Sequence, residues 1–152
     1  MRKIDVNVKF THDVWKEHDL AYATEHSAGL DLRACIDSEE LEIGPGEKMA
    51  IPAGVAIEIL EKSVAAYVFS RSGLGTKEGL TVSQGVGVID PDYRGEIKVS
   101  LLNTSGEIRR IKRGQRIAQM VFMPIFQGVI NPVSELGTTD RGAGGFGSTG
   151  KI

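Results

Sequence analysis

A single cysteine, Cys35, stands in the 152-residue chain, so no disulfide can form within it. The fold must therefore be held by buried apolar surface, and the lone thiol fits a reducing, cytoplasmic compartment. Cys35 lies between Ala34 and Ile36 and reads as a small core side chain rather than a nucleophile. Neither sign of charge is in large excess: 18 Lys and Arg face 20 Asp and Glu, for a net charge of −2. That balance excludes bulk attraction to nucleic acid or to an anionic membrane, so any phosphate ligand must be held by a local cluster of donors. No apolar run approaches the ~20 residues of a membrane span, and Met1-Arg2-Lys3-Ile4-Asp5 lacks the apolar stretch of a signal peptide. The expectation is a protein with neither a membrane nor a nucleic-acid partner.

Several site patterns are missing as well. The three histidines, His12, His18 and His26, have no metal-ligand spacing with one another or with Cys35, and they read as surface residues. No Ser-His-Asp or Cys-His arrangement is recognisable. The glycines at 73, 75 and 79 do not fit Gly-x-Gly-x-x-Gly, so a Rossmann site has no support. Gly145 to Lys151 nearly spells a Walker A loop, but that loop needs Ser or Thr and then a helix, and Ile152 stands there instead.

What is present is strand pattern. Hydrophobic content of 41% and charged content of 25% are those of a globular chain, and the length suits one domain. Ile4, Val6, Val8 and Phe10 alternate with polar partners, as do Leu30, Leu32 and Ala34. Residues 55–59, 64–69, 95–102 and 117–126 read as further strands. Turns are marked at Gly44-Pro45-Gly46, Ile51-Pro52, Asp90-Pro91-Asp92, Thr104-Ser105-Gly106 and Lys112-Arg113-Gly114. Short strands at this spacing indicate an all-β sandwich, jelly roll or barrel. Helical character is weak over 13–24, and one helical turn is expected after Ser72, through Leu74 and Lys77.

Five segments have chemical content, and each has a plain structural reading when taken alone. In Ala28-Gly29-Leu30-Asp31-Leu32-Arg33-Ala34, Asp31 and Arg33 point away from the leucines, as on any solvated strand face. Ser70-Arg71-Ser72-Gly73-Leu74-Gly75 puts an Arg, a hydroxyl and a glycine where a strand gives way to a turn, which suits a phosphate, or equally a helical turn capped by Ser72. Residues 84–96 read as a hairpin or tight loop holding Asp90, Asp92 and Tyr93. A carboxylate there serves as a base toward water, a metal ligand or a turn former. Gly114-Gln115-Arg116-Ile117-Ala118-Gln119-Met120 is a strand with two core positions and two polar ones. The last segment holds five glycines between Gly142 and Gly150, together with Arg141, Phe146, Ser148 and Thr149. Its glycines let backbone N–H groups approach an anion, Arg adds a planar fork of donors, and Phe146 offers a face for a base. Composition alone also fits a disordered end.

The order and spacing of the five segments resemble the five motifs of the homotrimeric dUTP pyrophosphatases, from Ala28 through Gly150. The most specific pieces are Arg71-Ser72-Gly73-Leu74, Ile89-Asp90-x-Asp92-Tyr93-x-Gly95 and Arg141-Gly142-x-Gly144-Gly145-Phe146-Gly147-Ser148-Thr149-Gly150. The resemblance implies a jelly-roll-like β domain over 1–140 and a glycine-rich flap over 141–152, with three active sites shared among the subunits of a trimer. It implies hydrolysis of dUTP to dUMP and pyrophosphate, which keeps uracil out of DNA and supplies dUMP for thymidylate synthesis. Asp90 would activate a water for in-line attack on the α-phosphorus, a task that asks chiefly for placement of the water. Gly87, Val88 and Ile89, with Gln84 nearby, would read the edge of uracil. Tyr93 would pack on the deoxyribose and exclude a 2′-hydroxyl. Arg71, Ser72, Gly73 and Gln119 would bind phosphates, and Lys98 matches a ligand-contact position. In the flap, Phe146 would stack on uracil while Arg141, Ser148 and Thr149 hold the γ-phosphate. Asp31 matches the acid that supports a magnesium ion, Mg2+, through water. Three departures from the family pattern stand out: Gln84 for Asn, Ser70 for Pro or Gly, and Gln115 for Asp, the last removing a usual partner of Arg116. A dCTP deaminase of the same fold, alone or bifunctional, is the alternative. Gly73, where such enzymes have a second Ser, and the full tail argue against it, and a nucleotide-binding regulator without hydrolysis is opposed by the intact Asp90.

Overall fold

The computed structural model describes residues 2–145 of the chain. Among them eleven strands follow one another: β1 (Val6–Phe10), β2 (Leu30–Arg33), β3 (Glu40–Ile43), β4 (Lys48–Pro52), β5 (Val55–Ile59), β6 (Val64–Ser70), β7 (Leu80–Val82), β8 (Gly87–Ile89), β9 (Lys98–Asn103), β10 (Arg109–Lys112) and β11 (Arg116–Pro124). A four-stranded sheet runs β2-β11-β6-β8 and a three-stranded sheet β4-β9-β7, with β1 paired to β5 and β10 to β3. Every pairing is antiparallel. These sheets enclose one core, as the all-β, jelly-roll-like expectation requires.

Burial follows position in the sheet. β6 has partners on both sides, and its Val64, Ala65, Ala66 and Val68 are buried, giving an almost continuous apolar run. β9 alternates instead, with Val99, Leu101 and Asn103 inward. Leu32, Ile43, Ile51, Leu80, Ile97, Leu101, Ile111, Ile117 and Met120 fill the interior. Asn103 is the buried polar residue among them. Its amide donates to the Ile43 and Glu107 carbonyls, and its Oδ1 accepts from the Ser105 N–H and hydroxyl, so burial leaves no orphaned group. Burial pushes the Cys35 thiol up to about 11, which keeps it neutral and supports the core reading.

Some sequence expectations fail for definable reasons. Val8 and Phe10 are exposed although they alternate correctly, because β1 is an edge strand paired only with β5; Phe10 leans on Trp15, ring centres 5.6 Å apart. Ile51-Pro52 is not a turn but the end of β4, where Pro52 lies opposite Lys98 and its carbonyl accepts the Cys35 N–H. The helical turn after Ser72 is a π-type turn, Leu74–Glu78, and Gly79 rather than Ser72 secures it, by donating its N–H to the Leu74 carbonyl. The histidines are not uniformly on the surface. The His12 side chain is largely buried, with Nδ1 accepting from the Val14 N–H at the head of the 3-10 turn Asp13–Lys16. His18 packs beside Gly114, while His26 is exposed.

Candidate active site

The residues that read as site candidates fall into two groups on the chain. The first lines a cleft of about 330 Å³ that brings together Gln84, Gly87, Val88, Ile89, Asp90, Tyr93 and Lys98. β8 forms one wall. It pairs with β6 in the register Val68↔Gly87, Tyr67↔Val88, Ala66↔Ile89, and it is the edge strand of its sheet. An edge strand offers unpaired N–H and C=O groups, the donors and acceptors that read the rim of a planar ring. Gly87 is pressed against β6: a Cβ there would lie 3.2 Å from the Cβ of Val68.

The turn after β8 holds the carboxylate and the aromatic ring. Tyr93 donates its N–H to the Asp90 carbonyl at 3.1 Å, closing the turn Asp90-Pro91-Asp92-Tyr93. Arg94 then fastens it from behind. Its Nη1 donates to the carbonyls of Pro91 (2.8 Å) and Tyr93 (3.1 Å), and its Nη2 pairs with Oε1 of Glu58 at 3.3 Å. The other Glu58 oxygen accepts from the Asn7 amide at 2.8 Å. The Asn7 hydrogen bond and the Arg94 charge hold the Glu58 carboxyl below the usual carboxylate range. On the cleft side Glu96 accepts from the Thr11 hydroxyl at 2.8 Å. Asp90 is exposed on this fixed turn, free to meet a water and a substrate.

The second group is ionic. Asp31 on β2 lies opposite Gln119 on β11, and Gln119 lies opposite Phe69 on β6. Arg71 leaves the end of β6 at the same level. Both oxygens of Asp31 are engaged, Oδ1 with Nε of Arg71 and Oδ2 with Nη1 of Arg116, each at 2.9 Å. Arg71 also donates to the Arg116 carbonyl at 3.2 Å, and the Gln119 amide donates to the Ser70 carbonyl at 3.1 Å. Ser72 and Gly73 follow Arg71, exposed, at the start of the π-type turn.

The departures from the family pattern find local partners. The Ser70 hydroxyl accepts the Val82 N–H, Gln84 accepts from the Ser83 hydroxyl, and Gln115 accepts the Lys112 N–H. Arg116, expected to lack a partner, has Asp31. Arg141 donates to the Gly144 carbonyl within its own turn and is joined to neither group among the described residues. Phe146, Ser148 and Thr149 lie outside the described residues. Sequence reasoning missed Glu58, Arg94 and Glu96 as supports of the cleft. Their charges adjoin or oppose the motif, but only the strand pairing shows what they hold.

Asp90 and Arg71 stand far apart on one chain. Ile89 pairs with Ala66, so Asp90 stands level with Ala65, six residues along β6 from Arg71. At about 3.3 Å per residue, that is roughly 20 Å. Arg71, Arg116 and Gln119 have the donor chemistry for phosphates, with Asp31 as the acceptor that gathers the two guanidiniums, while the cleft sets an exposed carboxylate beside an aromatic ring.

A family model described as dUTPase matches residues 16–150. The chain belongs to the dUTPase family. The deoxyuridine 5'-triphosphate nucleotidohydrolase of Desulfitobacterium hafniense (strain DSM 10664 / DCB-2) is 54% identical over 129 residues, which cover 85% of each chain. That of Shigella sonnei (strain Ss046) is 46% identical over 152 residues, 99% of each. Among solved structures, a Staphylococcus bacteriophage 80alpha dUTPase with dUPNHPP superposes with a TM-score of 0.84 at 25% identity, covering 96% of this chain and 98% of that one.

Proposed function

We propose that this chain hydrolyses dUTP to dUMP and pyrophosphate, with Asp90 as the base that activates the attacking water. The observation that carries the reading is the cleft, in which an exposed carboxylate on a hydrogen-bonded turn and an aromatic ring flank the open edge of β8. The backbone of Gly87 to Ile89, with Gln84, reads uracil, and the tight fit of Gly87 on Val68 leaves a shallow slot. Tyr93 packs on the deoxyribose, and Lys98 reaches the ligand from the start of β9. Once Asp90 has taken its proton, the water oxygen attacks the α-phosphorus in line and pyrophosphate departs.

Arg71, Ser72, Gly73 and Gln119 bind the phosphates. Asp31 holds Arg71 and Arg116 in place while leaving their remaining N–H groups for phosphate oxygens. The donor set fits magnesium in one form only. Asp31 spends an electron pair of each oxygen on a guanidinium, so it suits contact through water rather than direct ligation, with the triphosphate and solvent as the main ligands. When bound, the ion would neutralise the triphosphate and orient its α-phosphorus.

The working unit is a homotrimer with shared sites. The ~20 Å between Asp90 and Arg71 exceeds what one triphosphate spans, so the base of one chain must meet the phosphate donors of another. Phe126, Val129, Ile130, Val133 and Leu136, all exposed beyond β11, supply apolar surface for such an assembly. Arg141, Phe146, Ser148 and Thr149 close over the bound triphosphate, and an enzyme of this kind works in the cytoplasm. Pyrophosphate release measured with dUTP, dCTP, dTTP and UTP tests the reading. Rapid release is expected from dUTP alone, whereas ammonia released from dCTP would replace it with a deaminase.

A further inference from the structure

We propose that Gly95 determines sugar specificity: the missing Cβ at this position seats the Tyr93 ring in the place from which it excludes a 2′-hydroxyl. The proposal rests on the reading of Tyr93 just given.

A Cβ built on Gly95 would lie 2.3 Å from Oη of Tyr93, 2.5 Å from Cζ and 3.0 Å from Cε2. All three atoms belong to the far end of the phenol, so the ring folds back over the Gly95 backbone. Tyr93 is 44% exposed, so the core does not enclose it. It is held by its seat on Gly95 and by one hydrogen bond from its hydroxyl to the Glu96 carbonyl, at 3.1 Å. Gly95 is not among the glycines with positive φ, so its backbone conformation is open to any residue. Space, not backbone freedom, demands the glycine. The chain on either side cannot yield easily. Arg94 is bonded to two carbonyls of the turn, and Ile97 is bonded on both sides, its N–H to the Val55 carbonyl and its carbonyl to the Ala53 N–H. A methyl group at 95 must therefore displace the ring from its seat and, with it, the hydroxyl bonded to the Glu96 carbonyl.

The test is the ratio of kcat/KM for dUTP to that for UTP in Gly95→Ala, Tyr93→Phe, Tyr93→Ala and the Tyr93→Ala/Gly95→Ala double variant. Gly95→Ala is expected to lower the ratio by roughly tenfold or more, since a displaced ring no longer fills the 2′ position. Tyr93→Phe, whose ring still lies on Gly95, keeps the wild-type ratio. The double variant matches Tyr93→Ala, because the atoms that a methyl would strike are gone. An unchanged ratio in Gly95→Ala, with a lowered one in Tyr93→Ala, overturns the role of Gly95 alone. An unchanged ratio in Tyr93→Ala overturns the reading of Tyr93 and this inference with it. A Tyr93→Phe ratio as low as that of Gly95→Ala would assign the seat to the hydroxyl bond instead. Should Gly95→Ala fail to fold, the double variant must fold and melt with Tyr93→Ala; a double variant that also fails places the clash elsewhere and refutes the proposal.

Discussion

In the cleft beside β8, one exposed carboxylate and one aromatic ring stand among strand edges and apolar walls; in the Asp31 group, two guanidiniums are gathered around one carboxylate. The cleft owes its shape to the chain itself: a β-turn, an Arg94 clamp on carbonyls and a glycine that admits a ring. The ionic group owes its shape to side chains from three strands or strand ends, and removing the one shared carboxylate breaks both ion pairs and releases two cations together. A neutral heterocycle and a sugar are discriminated by steric fit and backbone hydrogen bonds, whereas a triphosphate calls for charge held ready and only partly compensated. On the proposed reading each construction serves one half of a nucleotide, and roughly 20 Å along β6 separates Asp90 from Arg71 within one chain.

The comparison can be broken most severely at the base. Asp90→Asn keeps the turn and the cleft, so dUTP should still bind while turnover falls about 10²–10⁴-fold, the usual loss for a general base. Steady-state rates beside equilibrium binding of a non-hydrolysable analogue separate the two effects, and a near-normal rate would move the base elsewhere. A smaller effect, on the other half of the nucleotide, is expected from Asp31→Asn. Without the carboxylate, Arg71 and Arg116 lose their shared anchor, and affinity for pyrophosphate and for dUTP should weaken by roughly tenfold, with little change in binding of deoxyuridine. Calorimetric titration of the three ligands checks it; equal weakening for deoxyuridine would show that the two regions are not separable.

Much of this arrangement is legible in the chain. β5 and β6 show as apolar runs, and the motifs of the site announce themselves by order and spacing. β3 and β10 do not, because they pair with each other and present Glu40, Glu42 and Arg110 outward, leaving Ile43 and Ile111 as their fully buried apolar residues. β7 and β8 have three residues each, too few for a period to register. Single residue types also reveal nothing of partners far along the chain. Asp31 and Arg116 are 85 positions apart, and only the β2–β11 pairing makes them neighbours. The same holds for Glu58, whose hold on Arg94 supports the Asp90–Tyr93 turn across 36 positions.

That last contact gives the smallest effect, and one with a pH signature. The folded protein lowers the pKa of Glu58, so the Asn7 hydrogen bond and the Arg94 ion pair together stabilise the fold fully above the ordinary carboxylate range. The stabilisation is lost as pH falls through the lowered pKa. Glu58→Gln should thus melt slightly below the wild type at neutral pH, and the two curves should converge on acidification. A difference that stays constant with pH would show that Glu58 acts by packing alone.

The separation of Asp90 from Arg71 is best tested by mixing two inactive variants, Asp90→Asn and Arg71→Ala, in equal amounts under conditions that exchange subunits. If one chain supplies the base and another the phosphate donors, random hybrid trimers restore about a quarter of their sites, and dUTP hydrolysis should recover to about a quarter of the wild-type rate. Hybrid oligomers that form but recover no activity would contradict a site shared between chains.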